Sequence, residues 1–282
     1  MSARDYIIVE FSCLLIIVQY VAMRLRRDAR GEERHGQVLA RLALLALGGW
    51  IAEDAAMHLF DFYQYNALFW PTIDRMPLLI ALIWPVVIHS AWDLARALLG
   101  EGHRLVAPLA ATFVLADASL IEPVAVRAGL WSWNAPGLFA VPPIGVLGWA
   151  FFTLIAVATL ARTPPRDPRG ILLLVPLIAP IAVQPSLVAA WWGLFRWINV
   201  TVPPWPLIAI AWVLSVTSAY FFFRHGLRHR VPRAQMFSRI PAALFFFVLL
   251  GLFGHDDPAL IAWTFAFTPP YLALTAFRPA AG

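Results

Sequence analysis

Acidic side chains placed inside apolar runs are the residues of this chain best suited to chemistry. Glu10, Glu53, Asp54, Asp93, Asp117 and Glu122 all fall within such runs or at their ends. An ionised acid at the centre of a bilayer costs about 2.5 to 3.5 kcal/mol even on a lenient insertion scale, so these side chains turn toward the protein interior and mark functional positions. Between Asp117 and Trp149 the chain carries two of these acids together with Trp131, Trp133 and Trp149. A carboxylic acid held in an aromatic, low-dielectric pocket keeps its proton at neutral pH, and the surrounding ring faces stabilise a cation through their quadrupoles. A neutral acid beside π-faces is equipped to protonate an alkene, and the resulting carbocation is captured by water or by another double bond of the same molecule.

The elements that position these residues follow from composition. The chain is 61% hydrophobic and 13% charged, with a mean hydropathy of +0.74, whereas a soluble domain is about half apolar. It is an integral membrane protein, and long apolar runs select helices over a closed barrel. Runs able to cross a hydrocarbon core of about 30 Å lie near residues 6–23, 38–59, 76–99, 104–122, 142–161, 170–192, 203–223, 240–254 and 258–277. The expectation is an all-α polytopic bundle of about nine transmembrane helices forming a single domain over residues 1–282. An eight-helix version with one re-entrant element is the alternative, because the eighth run is short and the turn from Gly254 to Pro258 is tight.

Arginine gives the orientation, since basic residues stay on the cytoplasmic side and the chain has no lysine. Connections holding Arg24, Arg26, Arg27, Arg30 and Arg34, then Arg96 and Arg104, then Arg162, Arg166 and Arg169, then Arg224, Arg228, Arg230, Arg233 and Arg239 alternate with others nearly free of arginine. This places the N-terminus outside and the C-terminus in the cytoplasm. The isoelectric point near 10.0 then belongs to loops facing anionic membrane lipid. No basic patch is interleaved with exposed aromatics on a soluble module, so nucleic acid is not an expected partner. Cys13 is the single cysteine, which excludes an internal disulfide and a thiolate metal site.

In this topology the second helix runs outward and carries Glu53, Asp54 and His58, with Asp54 and His58 four apart on one face. The fourth also runs outward, carries Asp117 and Glu122, and is expected to stop before Pro123. His89 and Asp93 share a face of the third helix deeper toward the cytoplasm, as a helix-packing or proton-supply pair. A proline followed by a tryptophan recurs in the four expected inward-running helices that carry Trp84, Trp149, Trp212 and Trp263. The spacing places each indole roughly 8 to 10 Å below the outer boundary. Trp50 falls near the same level, so five indoles are expected to share one layer. Glu53, Asp54, His58, Asp117 and Glu122 also offer oxygen and imidazole ligands, but no HxxxH, HExxH or DDxxD spacing is present, and neither a metal nor a soluble cofactor is expected.

Asp117, Glu122, Pro123, Val124, Ala125, Gly129, Trp131 and Trp133, followed by Pro142, Gly148 and Trp149, resemble the signature of the carotenoid biosynthesis membrane-protein family, which includes hydratases acting on γ-carotene and bisanhydrobacterioruberin ends. Glu53, the Tyr63 and Tyr65 pair and the segment from Pro77 to Trp84 are similar as well, so the resemblance covers residues 45–150. It departs from the pattern where a glycine before the proline is Ala140 or Val141 here, and where an Asn-Phe pair falls at Gly145 and Val146.

The resemblance implies a hydratase that adds water across a terminal C=C of a polyene or linear terpenoid. Asp117 and Glu122 would be donor and partner, and Glu53 and Asp54 would orient water or return the proton. His58, Tyr63, Tyr65, Trp84, Trp131, Trp133 and Trp149 would shape the substrate site, with the indoles also stabilising the cation. The implied location is the bacterial inner membrane, with membrane lipid and other carotenoid biosynthesis enzymes as neighbours. Loss of a water-holding asparagine would instead give a membrane terpenoid cyclase. A proton-coupled transporter is the alternative of another class, because intramembrane acids also mark proton relays.

Overall fold

In the computed structural model, residues 2–28, 35–162, 174–198 and 202–275 are described. Arg30, Arg34, Arg166 and Arg169 of the expected cytoplasmic connections lie outside the described residues. The chain is an all-α polytopic membrane protein. Its helices are α1 (Ala3–Asp28), α2 (His35–Phe60), α3 (Leu78–Leu99), α4 (Val106–Arg127), α5 (Pro143–Leu160), α6 (Val175–Ala190), α7 (Pro204–Arg224), α8 (Ile240–Phe253), α9 (Pro258–Ala266) and α10 (Pro269–Thr275). One π-helical turn, Trp191–Phe195, extends α6, and a short helix, Arg233–Phe237, precedes α8.

Seven described segments are long and apolar enough to cross a bilayer: Ala3–Arg26, Leu78–Leu99, Val106–Arg127, Pro143–Leu160, Val175–Phe195, Pro204–Arg224 and Arg233–Phe253. α2 is as long as α1 and packs against α3 and α6 within the bundle. The run expected as one span over 258–277 is broken into α9 and α10. Pro269 and Pro270 lack the N–H groups that would carry a helix through this point. Both pieces pack against α7, whose other side exposes Trp205, Ile210, Val213, Leu214 and Tyr220, as a helix facing hydrocarbon does.

A second departure concerns α4, which runs through Pro123 to Arg127 instead of stopping ahead of the proline. Proline has no N–H, so the carbonyl of Ser119, four residues earlier, loses its helical donor. The indole Nε1 of Trp263 donates to that carbonyl at 2.7 Å. A side chain from α9 thus replaces the missing backbone bond, a repair open to proline-containing membrane helices.

α4 packs against α3 and α5, α5 against α6, and α6 against α2. These helices surround the main core. At the end where α2 and α4 finish and α3 and α5 begin, two short ribbons cap the bundle. Tyr63–Tyr65 (β1) pairs antiparallel with Trp131–Trp133 (β4), and Thr72–Ile73 (β2) pairs with Met76–Pro77 (β3). In β1 and β4 the register sets Tyr63 opposite Trp133, Gln64 opposite Ser132 and Tyr65 opposite Trp131. Alternate residues of a strand share a face and direct partners share it too, so four aromatic rings point into the bundle. Gln64 and Ser132 are exposed on the opposite face.

Candidate active site

Beneath the ribbon, Glu53 from α2 and Glu122 from α4 line one cavity. Glu122 is buried, at 2% exposure, and accepts three indole hydrogen bonds. Trp131 Nε1 and Trp133 Nε1 donate to its Oε2 at 2.8 and 3.0 Å, and Trp149 Nε1 donates to Oε1 at 2.8 Å. Glu53 accepts from Tyr63 Oη at 2.7 Å and from Tyr65 Oη, both on Oε2. Among the described residues, neither acid forms an ion pair with a basic side chain. Indole N–H groups only donate and an ionised carboxylate only accepts, so all three indole hydrogens satisfy Glu122. On Glu53, by contrast, Oε1 is left clear of the phenols.

Trp84 from α3 closes the wall. Its ring stacks on Trp149 with centroids 4.2 Å apart and planes 22° apart, and Phe152 meets it edge-on at 5.4 Å. Among the described residues the buried Trp84 Nε1 meets no acceptor in full hydrogen-bonding geometry, and Glu53 is the acid it neighbours. Two glycines permit these close approaches. A Cβ on Gly49 of α2 would lie 3.1 Å from Trp84 Cγ, and a Cβ on Gly145 of α5 would lie 2.8 Å from Trp133 Cζ2. Gly145, where the resembling pattern carries asparagine, is therefore the position over which the Trp133 ring lies.

The cavity leaves about 50 Å³ for the centres of water-sized molecules. At roughly 10 to 15 Å³ per such centre, it admits a few waters or the branched end of an alkene. Apart from the two acids, the two tyrosines and the four indoles, its lining is apolar, with Phe62, Ile144, Val183 and Leu187. The arrangement offers a proton-bearing group, an acceptor and stacked π-faces around one small volume.

The structure brings together Glu53, Tyr63, Tyr65, Trp84, Glu122, Trp131, Trp133 and Trp149 from the expected set. It places the other three elsewhere. Asp54 and His58 turn away from Glu53 toward the surface. His58 Nδ1 lies 3.0 Å from the Asp54 carbonyl, and its Nε2 lies 3.3 Å from Asp74 Oδ2. Donor atoms of Asp54, His58 and Asp74 fall within 4.8 Å of one another, a spacing at which a cation can be held.

Asp117 lies on another face of α4 from Glu122. It pairs with Arg239 and accepts from Tyr271 Oη at 2.7 Å, beside a different cavity. The five expected indoles do not share one site either. Trp84 and Trp149 line the cavity, whereas Trp50, Trp212 and Trp263 donate to the carbonyls of Ile73, Ala262 and Ser119 and brace the backbone. His89 and Asp93 belong to a buried network. Tyr20 Oη lies 2.9 Å from His89 Nδ1, and Asp93 is bonded by Arg24 at 2.6 Å and Arg96 at 2.5 Å.

Sequence reasoning overlooked the wall residues Phe62 and Phe152, which carry no distinguishing signal, and the role of Arg239. It also overlooked the ribbon. The matching Tyr-x-Tyr and Trp-x-Trp alternation was the available clue, since a period of two marks a strand.

No curated protein and no solved structure matches the chain. The family model described as carotenoid biosynthesis protein matches residues 11–203, more than half of the sequence, and takes in every residue that forms the cavity. The chain therefore belongs to the carotenoid biosynthesis protein family, as an integral membrane member with a role in that pathway.

Proposed function

We propose that this protein is an acid-initiated isoprenoid enzyme that protonates the terminal C=C of a carotenoid polyene and lets water capture the cation. One observation carries the reading: Glu53 and Glu122 share a single aromatic-walled cavity, hold five aromatic N–H and O–H donors between them, and have no basic partner among the described residues.

Glu53 is the proton donor, through the Oε1 that the phenols leave clear. Its proton forms a new C–H bond as the π bond opens, and a tertiary cation remains. Glu122, held as an acceptor by three indole N–H groups, stabilises that cation by charge, and the stacked Trp84 and Trp149 do so through their faces. Water adds to the cation, and the proton it sheds returns to Glu53 through Tyr63 or Tyr65. The balance is alkene plus water to tertiary alcohol, with the acid regenerated and no cofactor consumed. The substrate is lipid-soluble and reaches the cavity from the bilayer.

A cyclase reading is favoured by a separate observation. Among the described residues the cavity lining contains no asparagine, serine or threonine to hold a water, and Gly145 and Val146 stand where the resembling pattern has Asn-Phe. Intramolecular capture would use the same protonation. Expression in a host that accumulates acyclic polyenes tests both readings: a product heavier by one water supports hydration, and an isomer of unchanged mass with a new ring supports cyclisation. Unaltered polyene in cells containing folded protein would remove the proposal.

A further inference from the structure

A second and much larger cavity lies on the other side of α4, with about 740 Å³ for water-sized centres. Its walls are mainly apolar, with Val86 and Val87 of α3, Ile121 of α4 and Phe246 of α8. Three arginines line it, Arg228, Arg233 and Arg239, against one acid, Asp117. That acid is already committed to Arg239, whose guanidinium also donates to Ser90 Oγ at 2.7 Å. Arg228 and Arg233 have no carboxylate partner among the described residues. Arg228 lies over the Phe223 ring at 4.6 Å, and Arg233 is exposed. The segment that bears them is fixed to the end of α3, where Arg230 Nη1 donates to the Leu98 carbonyl at 2.9 Å.

The cavity therefore joins two uncompensated cations to a long apolar interior. A neutral polyene has no use for the cations, and a free inorganic anion has no use for the apolar walls. We propose that this cavity binds an amphiphile with a phosphate or diphosphate head, its head on Arg228 and Arg233 and its acyl or prenyl tail against Val86, Val87, Ile121 and Phe246. Arginine is the residue suited to phosphate, through its planar fork of donors, and basic pockets between membrane helices take phosphorylated heads. Two sources share this chemistry, a membrane phospholipid and an isoprenoid diphosphate. The site shares no lining residue with the Glu53 and Glu122 cavity and stands or falls apart from it.

Native mass spectrometry of the detergent-released full chain tests the proposal, because adduct mass identifies the ligand. The chain is titrated in parallel with farnesyl diphosphate, with phosphatidylglycerol and with diacylglycerol, which has a similar tail and no phosphate. One saturable adduct per chain is expected with a phosphate-headed ligand and none with diacylglycerol. The stronger of the two phosphate arms names the source.

Arg228→Gln with Arg233→Gln should weaken that adduct about thirtyfold, whereas Arg104→Gln, outside the cavity lining, should not. Ala243→Trp, which fills the chamber and leaves every charge in place, should remove the adduct. Equal binding of diacylglycerol would overturn the proposal. So would an adduct that survives both the double arginine variant and the filled chamber.

Discussion

Tyr63 and Trp133 face each other across β1 and β4 with ring centroids 4.6 Å apart, yet they serve different acids. The Tyr63 hydroxyl bonds to Glu53 at 2.7 Å, and the Trp133 indole bonds to Glu122 at 3.0 Å. Tyr65 and Trp131 repeat the division at the next inward-facing pair, serving Glu53 and Glu122 respectively. A ribbon of two three-residue strands thus couples carboxyl groups carried by separate helices.

Replacing either acid by its amide should separate their roles. Glu122→Gln turns an NH₂ toward the indole N–H groups. Each buried donor left unmet costs about 1 to 3 kcal/mol, so both thermal stability in detergent and product formation should fall. Glu53→Gln keeps an acceptor for the tyrosines and removes the transferable proton. Product should disappear with little change in thermal stability, and an active Glu53→Gln variant would exclude Glu53 as donor.

Gly145→Ala puts a methyl group 2.8 Å from Trp133 Cζ2. The indole must shift, which should weaken its bond to Glu122 and reduce turnover by about tenfold, within the usual range for misplaced catalytic geometry. Combining it with Trp133→Phe should relieve the clash. Steady-state product assays on the two single variants and the pair measure that coupling.

Trp263→Phe removes the donor that satisfies the Ser119 carbonyl beside Pro123. The loss of a buried bond should lower stability by about 1 to 2 kcal/mol and loosen the turn of α4 that bears Glu122. Thermal unfolding in detergent reads the first effect and product yield the second. Trp263→Phe should leave the second cavity unchanged, since Trp263 does not line it.

Asp117→Asn leaves the Arg239 guanidinium, 14% exposed, without its counter-charge. Breaking a buried pair from one side costs about 3 to 5 kcal/mol. Stability is therefore expected to fall first, with activity lost in proportion to unfolded protein. The double variant Asp117→Asn, Arg239→Gln should recover much of that stability. Activity measured per folded molecule separates this outcome from a direct catalytic role for Asp117.

Tyr63 and Tyr65 lie between the spanning helices. Burial first, and then the Glu53 carboxylate once alkaline pH has ionised it, push both hydroxyls well above the ordinary tyrosine range. A raised folded-state pKa means that the stability linked to these groups is fully present below the unfolded value, about 10, and is lost as pH rises above it. Tyrosinate absorbance should show neither phenol ionising until the protein unfolds, and Tyr63→Phe with Tyr65→Phe should leave the early-titrating signal unchanged.

Apolar runs, arginine spacing and acids inside spans made the membrane-embedded, all-helical nature of the chain legible, because hydropathy is a local property of a segment. Glu53 and Glu122 stood out as acids inside spans, and the family resemblance put Tyr63, Tyr65, Trp131, Trp133 and Trp149 beside them as candidates, while the two-residue alternation that pairs their strands went unread. Grouping was decided by tertiary packing. Asp117 is only five positions from Glu122, yet α4 turns it to another face, where Arg239, 122 residues away, claims it. Asp54 adjoins Glu53 and points to the surface for the same reason. Pro123 stays inside its helix because Trp263, 144 residues beyond Ser119, supplies the missing donor. A helix face and a bond between distant segments depend on which neighbours pack there, and a single sequence does not specify that directly.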